Sequence, residues 1–469
     1  MISLALCVAL STILIAGAGV HLLLVGDRVR LNIVELLCFA WLFGTGSLSI
    51  LLWAGGFFFH GAALQVVVTT SLLALGLLGW RKARRRLVVL YFPELNNTTR
   101  LLGLILAVEM MLIVLYSLGT PLQLDGSLNW EIKARFAFLN DGVMPASYFG
   151  QPTQADSHPE YPLFIPMVQL WLYLWLGAAH QVWAKLIFPI YGATGAALLA
   201  LYGARLSQRR WAGLLAAALA FLVPRLAGGW GGVTGGYPDF ALAVLYLACI
   251  SNLIFYLKTN CDDYFRIYAA GLALLPWLKR DGLILWAVAL LCGIAVIKPG
   301  RKWLGFLPGP VILVLWQLYL RSVGATPPHD FIPVTFATFI SHLDRARFIW
   351  HALVTNLLDL RQWSIFWLLV AVAFAYQTWR ARDKSSLVIF SALVLPIVLY
   401  SSTYLFSSWP DYRVHIHSSL SRLLIHVALL GWLVVAWASK GLAPQPRRSK
   451  TPSRPAISFA EATYWKSNC

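Results

Sequence analysis

The chain has 469 residues, of which 59% are hydrophobic and 12% are charged, and its mean hydropathy is +0.70. This composition excludes a soluble globular protein, and recurring apolar runs of about 20 residues predict membrane helices and not the short alternating strands of a barrel. The net charge of +18 does not indicate a nucleic-acid partner, because the basic residues cluster at the ends of the apolar runs.

The basic clusters predict a topology, since Lys and Arg accumulate in the cytoplasmic loops of membrane proteins. They lie at 81–86, 205–210, 298–302, 380–384 and 447–450. Placing them inside predicts helices over 2–25, 33–54, 62–80 and 101–118, with the N-terminus outside. The first apolar run has no basic residues before it, so we interpret it as a membrane helix and not as a signal peptide.

The remaining apolar runs bring the predicted total to about thirteen crossings. They lie at 183–204, 212–226, 240–257, 267–278, 282–298, 303–321, 361–380, 385–405 and 422–439. The stretch 163–177 cannot be another crossing, because the helix after it must end inside at the 205–210 cluster. The stretch therefore either lies in the membrane interface or re-enters without crossing, and Trp171 and Trp175 favour a helix anchored at the interface. The predicted fold class is an all-α polytopic membrane protein with interfacial helices in the first large extracytoplasmic loop.

Four regions follow from this topology. Residues 1–100 add N-terminal membrane helices, and 101–321 form a core that contains the extracytoplasmic loop 119–162. Residues 322–439 form a C-terminal membrane region with extracytoplasmic loops at 322–360 and 406–422. The segment 440–469 is rich in Pro, Ser, Arg and Lys, which predicts a disordered cytoplasmic tail.

The segment 120–166 holds five of the nineteen acidic residues, and six prolines predict short pieces of structure there. Asp125 lies just beyond the outer end of the fourth predicted helix, where a partly desolvated carboxylate can accept a proton from an incoming hydroxyl. A helix cap is the plainer alternative, because Trp130, Ala134 and Phe138 follow at helical spacing.

Other polar residues of this loop are candidate substrate contacts. His158 and Glu160 flank a proline directly before an apolar run, and an imidazole with a carboxylate can bind a divalent metal or hydrogen-bond a sugar. An ordinary loop remains the alternative for this pair. Lys133 is a further candidate, while Arg135 is more simply explained as a cation that reaches the membrane surface.

A second set of residues suits a phosphate. Asp239 follows the glycine-rich stretch 228–238, and Lys279 and Arg280 lie at a predicted outer hairpin, where cations are disfavoured. A phosphate would satisfy both cations better than Asp281 alone, although Asp281 could simply staple the hairpin. The last predicted outer loop adds four more candidate phosphate ligands, Arg413, His415, His417 and Arg422.

Acids for deprotonation, cations for a phosphate and a position at lipid level together describe glycosyl transfer from a lipid-phosphate sugar. The phosphate leaving group is a weak base, so cations or a metal can stabilise its departure without a general acid. One Asp acting as base on the opposite face of the sugar would invert the anomeric carbon.

Two stretches, DGSLNWEIKARFAFLNDG and SHPEYPLFIPMVQLWLYLWLG, resemble the integral-membrane GT-C glycosyltransferases, which include protein O-mannosyltransferases and the aminoarabinose transferases of lipid A. Asp125 and 158–162 match the family's first-loop acid and its Pro-containing acidic motif. GYPDFALAV and LKRDGLILW resemble later motifs. In this chain Asp125 is followed by Gly where many members have paired acids, which leaves metal dependence open, and three additional helices precede the family's usual first one.

The resemblance implies a bacterial inner-membrane enzyme that moves a sugar from a polyprenyl-phosphate donor to an envelope glycan, lipid or protein acceptor on the extracytoplasmic face. Asp125 would be the base, and a divalent metal ion is the one cofactor left open. Two alternatives remain. A transporter or flippase of lipid-linked glycans would carry polar residues through several helices and often repeat symmetry. A non-catalytic scaffold for envelope assembly would tolerate the loss of Asp125.

Overall fold

The computed structural model describes residues 2–26, 30–86, 88–91, 96–325, 330–380 and 383–442. Within these ranges the protein is helical, as predicted, apart from one two-stranded parallel sheet that pairs Arg30–Asn32 with Val89–Tyr91. Most of the predicted tail, from residue 443 onward, lies outside the described residues.

The helices are numbered in chain order. The N-terminal part contains α1 (Ile2–Leu24), α2 (Ile33–Gly55), α3 (Gly61–Arg85) and α4 (Asn97–Gly119). The first large loop and the segment that follows it contain a π-helical turn (Gly126–Glu131), α5 (Ile132–Leu139), α6 (Ala146–Gly150), α7 (Phe164–Leu176) and α8 (Gln181–Ala184). The central part contains α9 (Ile187–Ser207), α10 (Arg210–Phe221), α11 (Pro224–Ala227), α12 (Asp239–Thr259), α13 (Asp262–Leu278), α14 (Gly282–Val296) and α15 (Pro308–Ser322). The C-terminal part contains α16 (Phe336–Ser341), α17 (Ala346–Leu357), α18 (Leu360–Trp363), α19 (Phe366–Arg380), α20 (Lys384–Thr403) and α21 (Tyr412–Ala438).

In the described ranges, nine helical segments are long and apolar enough to cross a membrane, which makes this a multi-pass membrane protein. They are built on α1, α2, α3, α4, α9, α12, α15, α20 and α21. The predicted thirteen crossings are not confirmed, because four of the predicted spans form helices of only 12 to 17 residues. A helix needs about 20 residues to cross the hydrocarbon core without help from its neighbours. These shorter helices are α10, α13, α14 and α19.

Helix α12 lies at the centre of the bundle. Every residue from Asp239 to Tyr256 is buried, and α9, α13, α20 and α21 pack around it. One end of the bundle carries the basic clusters, and we call it the inner end after the predicted topology. Ion pairs lie there at helix ends. These pairs are Arg205–Glu35, Lys258–Asp383 and Lys302–Asp262. The opposite end carries the starts of α12, α14 and α21, and we call it the outer end.

The stretch 163–177 forms α7, and the chain enters and leaves it at the outer end. Before α7, Glu160 contacts Arg280, and after it Lys185 donates to the carbonyl of Thr120, which follows α4. This agrees with the prediction that the stretch does not cross. Of the two tryptophans that predict an interfacial helix, Trp171 is fully buried and donates to the Ala9 carbonyl at 3.1 Å, whereas Trp175 is partly exposed. The additional N-terminal helices α1 and α2 pack on α7 and help to bury residues 164–173.

The predicted outer loop 406–422 is wrong in its second half, because α21 begins at Tyr412. Asp411 caps the helix by accepting the Arg413 backbone N–H at 2.9 Å, and the helix continues for 27 residues. The helical period therefore distributes the polar side chains of this stretch over two faces. Arg422 lies on the face that looks toward α12, while Arg413 and His417 lie on the opposite face.

Candidate functional site

A glycine-rich loop over 228–238 brings two outer segments together. Gly231 and Gly236 have φ values of +85° and +83°, which side chains rarely adopt, and a Cβ at Gly236 would lie 2.2 Å from Leu122. The loop can therefore pack directly on the segment after α4, where the Gln123 backbone N–H donates to the Gly235 carbonyl at 3.3 Å. This contact brings Asp125 and the start of α12 to the same place.

Asp239, the first residue of α12, lies at the centre of a buried ionic cluster. Its Oδ1 lies 2.8 Å from the Lys279 Nζ and 3.0 Å from the His426 Nε2. Lys279 also contacts the Asp281 carboxylate at 2.5 Å and is 1% exposed. Burial alone would raise the pKa of Asp281. The positive charge of Lys279 opposes this effect, and the pKa of Asp281 lies below its usual value. Both carboxylates are thereby matched to one ammonium.

His426 and Tyr400 complete this cluster from α21 and α20. The Tyr400 hydroxyl lies 3.0 Å from the His426 Nδ1 and 2.9 Å from the Asp281 carbonyl oxygen, and it can donate its one proton to only one of them. The Tyr400 hydroxyl donates to the Asp281 carbonyl oxygen, and His426 bridges this hydroxyl through Nδ1 and the Asp239 carboxylate through Nε2. The imidazole therefore fixes the orientation of the Asp239 carboxylate.

Asp239, Asp281 and His426 are also the residues of this cluster that could bind a divalent metal. Ligand atoms of Asp239, Asp281 and His426 all lie within 4.8 Å of one another, a spacing that suits such an ion. The Lys279 ammonium already lies within 2.8 Å of both carboxylates, where it would repel the metal at close range. Lys279 thus lies between the carboxylates where a metal would bind, and the residues do not fit a resident metal.

Asp125 joins the first loop to α21. Its side chain makes no capping hydrogen bond to the helical turn that follows, so the helix-cap alternative is wrong. The carboxylate instead forms an ion pair with Arg422, which lies 297 residues later, and its side chain remains 27% exposed. The Arg422 guanidinium lies over the Tyr237 ring at 5.1 Å, and it interacts electrostatically with both Asp125 and Asp239.

Arg280, Glu160 and His158 form a second polar group at the outer end. The Arg280 Nη1 lies 3.2 Å from Glu160, and the His158 Nδ1 lies 3.4 Å from the same carboxylate oxygen. Burial raises the pKa of Glu160, but the hydrogen bond and charge of His158 lower it, with a net decrease. The His158–Glu160 pair predicted as a metal or sugar ligand is thus close together, and Arg280 contacts the same oxygen of Glu160 as His158 does.

A cavity of about 370 Å³ opens beside this second group. Its polar lining comes from Glu160, Arg280, Gln317 and Arg321, and its apolar lining comes from side chains of α13, α14 and α15, including Trp316. The cavity combines a cationic end with an apolar wall. Such a combination suits a ligand that carries a negative group on a hydrocarbon chain.

Lys133 supports the first loop from inside the protein. It is fully buried, donates to the His158 carbonyl at 2.6 Å and lies between the Trp130 and Tyr161 rings at 5.3 and 5.5 Å. Burial lowers its pKa to about 7, although the Glu160 charge acts in the opposite direction. The predicted substrate contact is therefore indirect, because Lys133 reaches the site only through His158.

Arg413 and His417 are not brought to the site. Both are exposed and contact Phe348, with the Arg413 guanidinium 5.1 Å from the ring centre and the His417 ring 6.1 Å away. The sequence missed His426 and Tyr400, which lie inside apolar helices with no motif around them. It also missed Asp330, whose carboxylate lies 3.5 Å from the His158 Nδ1.

Comparisons of this chain with protein-family models, curated proteins and solved structures find no match.

Proposed function

We propose that the protein is a membrane glycosyltransferase that moves a sugar from a polyprenyl-phosphate donor to an envelope glycan, lipid or protein on the extracytoplasmic face. One observation carries the proposal. A partly exposed acid, Asp125, is held by a cation at the same end of the bundle as a cavity that combines Arg280 with apolar walls. An acid for the acceptor and a cation for a lipid phosphate are the two groups that this reaction requires.

The cavity is the proposed donor site. A polyprenyl phosphate has an anionic head and an apolar chain, and the cavity offers Arg280 and Arg321 next to leucines of α14 and α15. Arg280 is 28% exposed and can turn one edge of its guanidinium toward a phosphate. Lys279 is buried between two carboxylates, so in this proposal it positions Asp239 and the hairpin and does not bind the donor.

Asp125 is the proposed base. The acceptor hydroxyl gives its proton to the Asp125 carboxylate while its oxygen bonds to the anomeric carbon of the donor sugar. The bond from that carbon to the phosphate oxygen breaks, and the phosphate leaves with the electron pair. Because the acceptor attacks from the opposite face, the configuration at the anomeric carbon is inverted. Arg422 keeps Asp125 oriented. Burial and the Asp125 charge raise the pKa of Tyr237 to about 12, and its hydroxyl accepts the Asp125 backbone N–H at 3.3 Å.

Two rival functions make different demands on the molecule. A flippase needs polar groups along a path through the bundle. In the described ranges the ionic clusters instead gather at the two ends, and α12 between them is apolar over most of its length. A non-catalytic scaffold makes no chemical use of Asp125 and therefore predicts that the loss of this carboxylate has no effect.

A deletion strain separates these functions. We expect lipid extracts to accumulate the polyprenyl-phosphate sugar, as measured by mass spectrometry, and one envelope glycan to lose a residue. Complementation with the parent gene should reverse both effects, whereas Asp125→Asn should reverse neither. Asp156→Asn, an exposed acid of the same loop, is the matched control and should complement fully. Full complementation by Asp125→Asn would contradict the proposal and favour the scaffold.

A further inference from the structure

Arg225 lies on the other side of Arg422 from Asp125, and no predicted role includes it. It belongs to α11, directly before the glycine-rich loop, and its Nη2 donates to the Ser421 hydroxyl beside Arg422. A Cβ at Gly229 would lie 2.9 Å from the Arg225 Cδ, and one at Gly231 would lie 3.3 Å from the Arg422 Cγ. The loop backbone therefore packs closely on both arginine side chains.

These two arginines keep unused donors. The buried Nε atoms of Arg225 and Arg422 have no hydrogen-bond partner among the described residues. Within the same ranges Arg225 has no carboxylate at ion-pair distance. Asp239 and Asp359 attract it from farther away, and Asp359 already accepts from the Arg361 backbone and from Gln362. Burial and then the charge of Arg422 lower the pKa of Arg225 to about 10.

Two adjacent guanidinium groups with buried, unused N–H donors are costly unless an anion binds them. A guanidinium presents parallel donors that match the oxygens of a phosphate or a carboxylate. The cavity with Arg280 is lined by neither Arg225 nor Arg422, so the donor phosphate proposed there would not fill this position. The position is, however, next to Asp125, the residue proposed to receive the acceptor proton.

We propose that Arg225 and the free edge of Arg422 form a second anion-binding subsite, and that it holds a phosphate or carboxylate group of the acceptor. The acceptor would therefore be an acidic glycan or lipid, held so that a nearby hydroxyl reaches Asp125. Anion binding does not depend on the proposed function, whereas the assignment to an acceptor does.

Binding of inorganic phosphate to the full-length protein in nanodiscs, measured by calorimetry, tests the subsite. We expect Arg225→Gln to weaken one class of phosphate site by roughly ten- to hundred-fold, the value of one or two charge-assisted hydrogen bonds. Arg225→Lys should restore part of the affinity. Arg280→Gln should leave this class intact, and Arg361→Gln, an exposed arginine nearby, is the control. Equal phosphate affinities in folded Arg225→Gln and Arg361→Gln would overturn the subsite.

The acceptor role is tested by transfer from a labelled polyprenyl-phosphate sugar to envelope extracts, with and without prior phosphatase treatment or esterification of carboxylates. We expect one treatment to remove acceptor activity, which identifies the anion, and Arg225→Gln to raise the acceptor KM with an unchanged donor KM. Transfer that survives both treatments with an unchanged acceptor KM would overturn the acceptor role and leave the glycosyltransferase proposal standing. If phosphate binding depends on Arg225 but no sugar is transferred, the proposed function fails and the anion subsite stands.

Discussion

The side chains of Lys279 and Arg280 are neighbours in sequence but have opposite environments. Lys279 is buried between Asp239 and Asp281, whereas Arg280 is partly exposed at the cavity. The sequence predicts the same phosphate-binding role for both, because the positive-inside rule cannot distinguish a buried cation from an exposed one. The two environments differ because Asp239, which lies 40 residues earlier in the chain, packs against Lys279 and not against Arg280.

Substitutions at these two positions should therefore fail in different ways. Lys279→Ala leaves Asp239 buried without its cation, which should cost about 3–5 kcal/mol and lower the yield of folded protein. Arg280→Lys keeps the charge but loses the guanidinium fork, so folding should be normal and donor affinity should fall. Thermal melting and donor binding in detergent check both outcomes. A stable Lys279→Ala variant, or unchanged donor binding in Arg280→Lys, would count against this assignment.

Lys133 should give the protein a measurable pH dependence. Its pKa in the folded protein is about 7, below the value of about 10.4 in an unfolded chain. Between these two values the unfolded chain binds more protons, so the free energy of unfolding should rise with pH across this window. Lys133→Met lacks this contribution.

The measurement compares the melting temperatures of the two proteins between pH 7 and pH 9. We expect wild type to gain stability relative to Lys133→Met as the pH rises. Parallel curves over this range would show that the Lys133 ammonium is not destabilised by burial.

At the scale of elements, the contact between the first loop and the glycine-rich loop places Asp125. A Cβ at Gly126 would lie 2.8 Å from the Gly235 carbonyl oxygen, so Gly126→Ala must displace one of the two loops. We expect a loss of about 1–3 kcal/mol in stability, typical of overpacking, together with reduced turnover. Gly119→Ala is the matched control, because a Cβ there meets no atom within 4 Å. Equal stability and equal turnover in the two variants would show that this loop contact does not position Asp125.

Helix α7 should behave as an element that begins and ends outside. In a variant without native cysteines, we expect Gln151→Cys and Ala178→Cys, both at exposed positions before and after α7, to react with an impermeant thiol reagent added outside. Arg84→Cys, exposed at the inner end, should react only after permeabilisation. Labelling of position 178 from the inside alone would require a redrawn topology from that point on.

The sequence predicts those features of the helices that depend on local hydropathy, and it does not predict those that depend on packing between distant helices. Apolar runs and basic clusters predict most helices to within a few residues, because hydropathy is a local property. Burial of α7 could not be predicted, since it depends on helices α1 and α2 packing over it. The start of α21 was missed because polar residues at helical spacing resemble a loop when only their hydropathy is considered.

At the scale of the whole molecule, the site is built from distant parts of the chain. Asp125, Asp239 and Lys279 were predicted as site residues because they lie at outer helix ends. The pairing of Asp125 with Arg422 could not be predicted, because it crosses 297 residues. A role for Arg225 in the site could not be predicted either, because a single arginine at the end of a predicted membrane span is common and indicates no ligand.

The central claim is that Asp125 is the base of a sugar transfer. The most direct measurement is the rate of transfer from a labelled polyprenyl-phosphate sugar to envelope acceptors by purified protein in nanodiscs, with Asp125→Asn beside wild type and Asp156→Asn. We expect Asp125→Asn to bind donor normally but to transfer sugar roughly 10²–10⁴-fold more slowly, and Asp156→Asn to match wild type. A rate for Asp125→Asn within a few-fold of wild type would contradict the central claim, as would a wild-type protein that binds donor and transfers nothing.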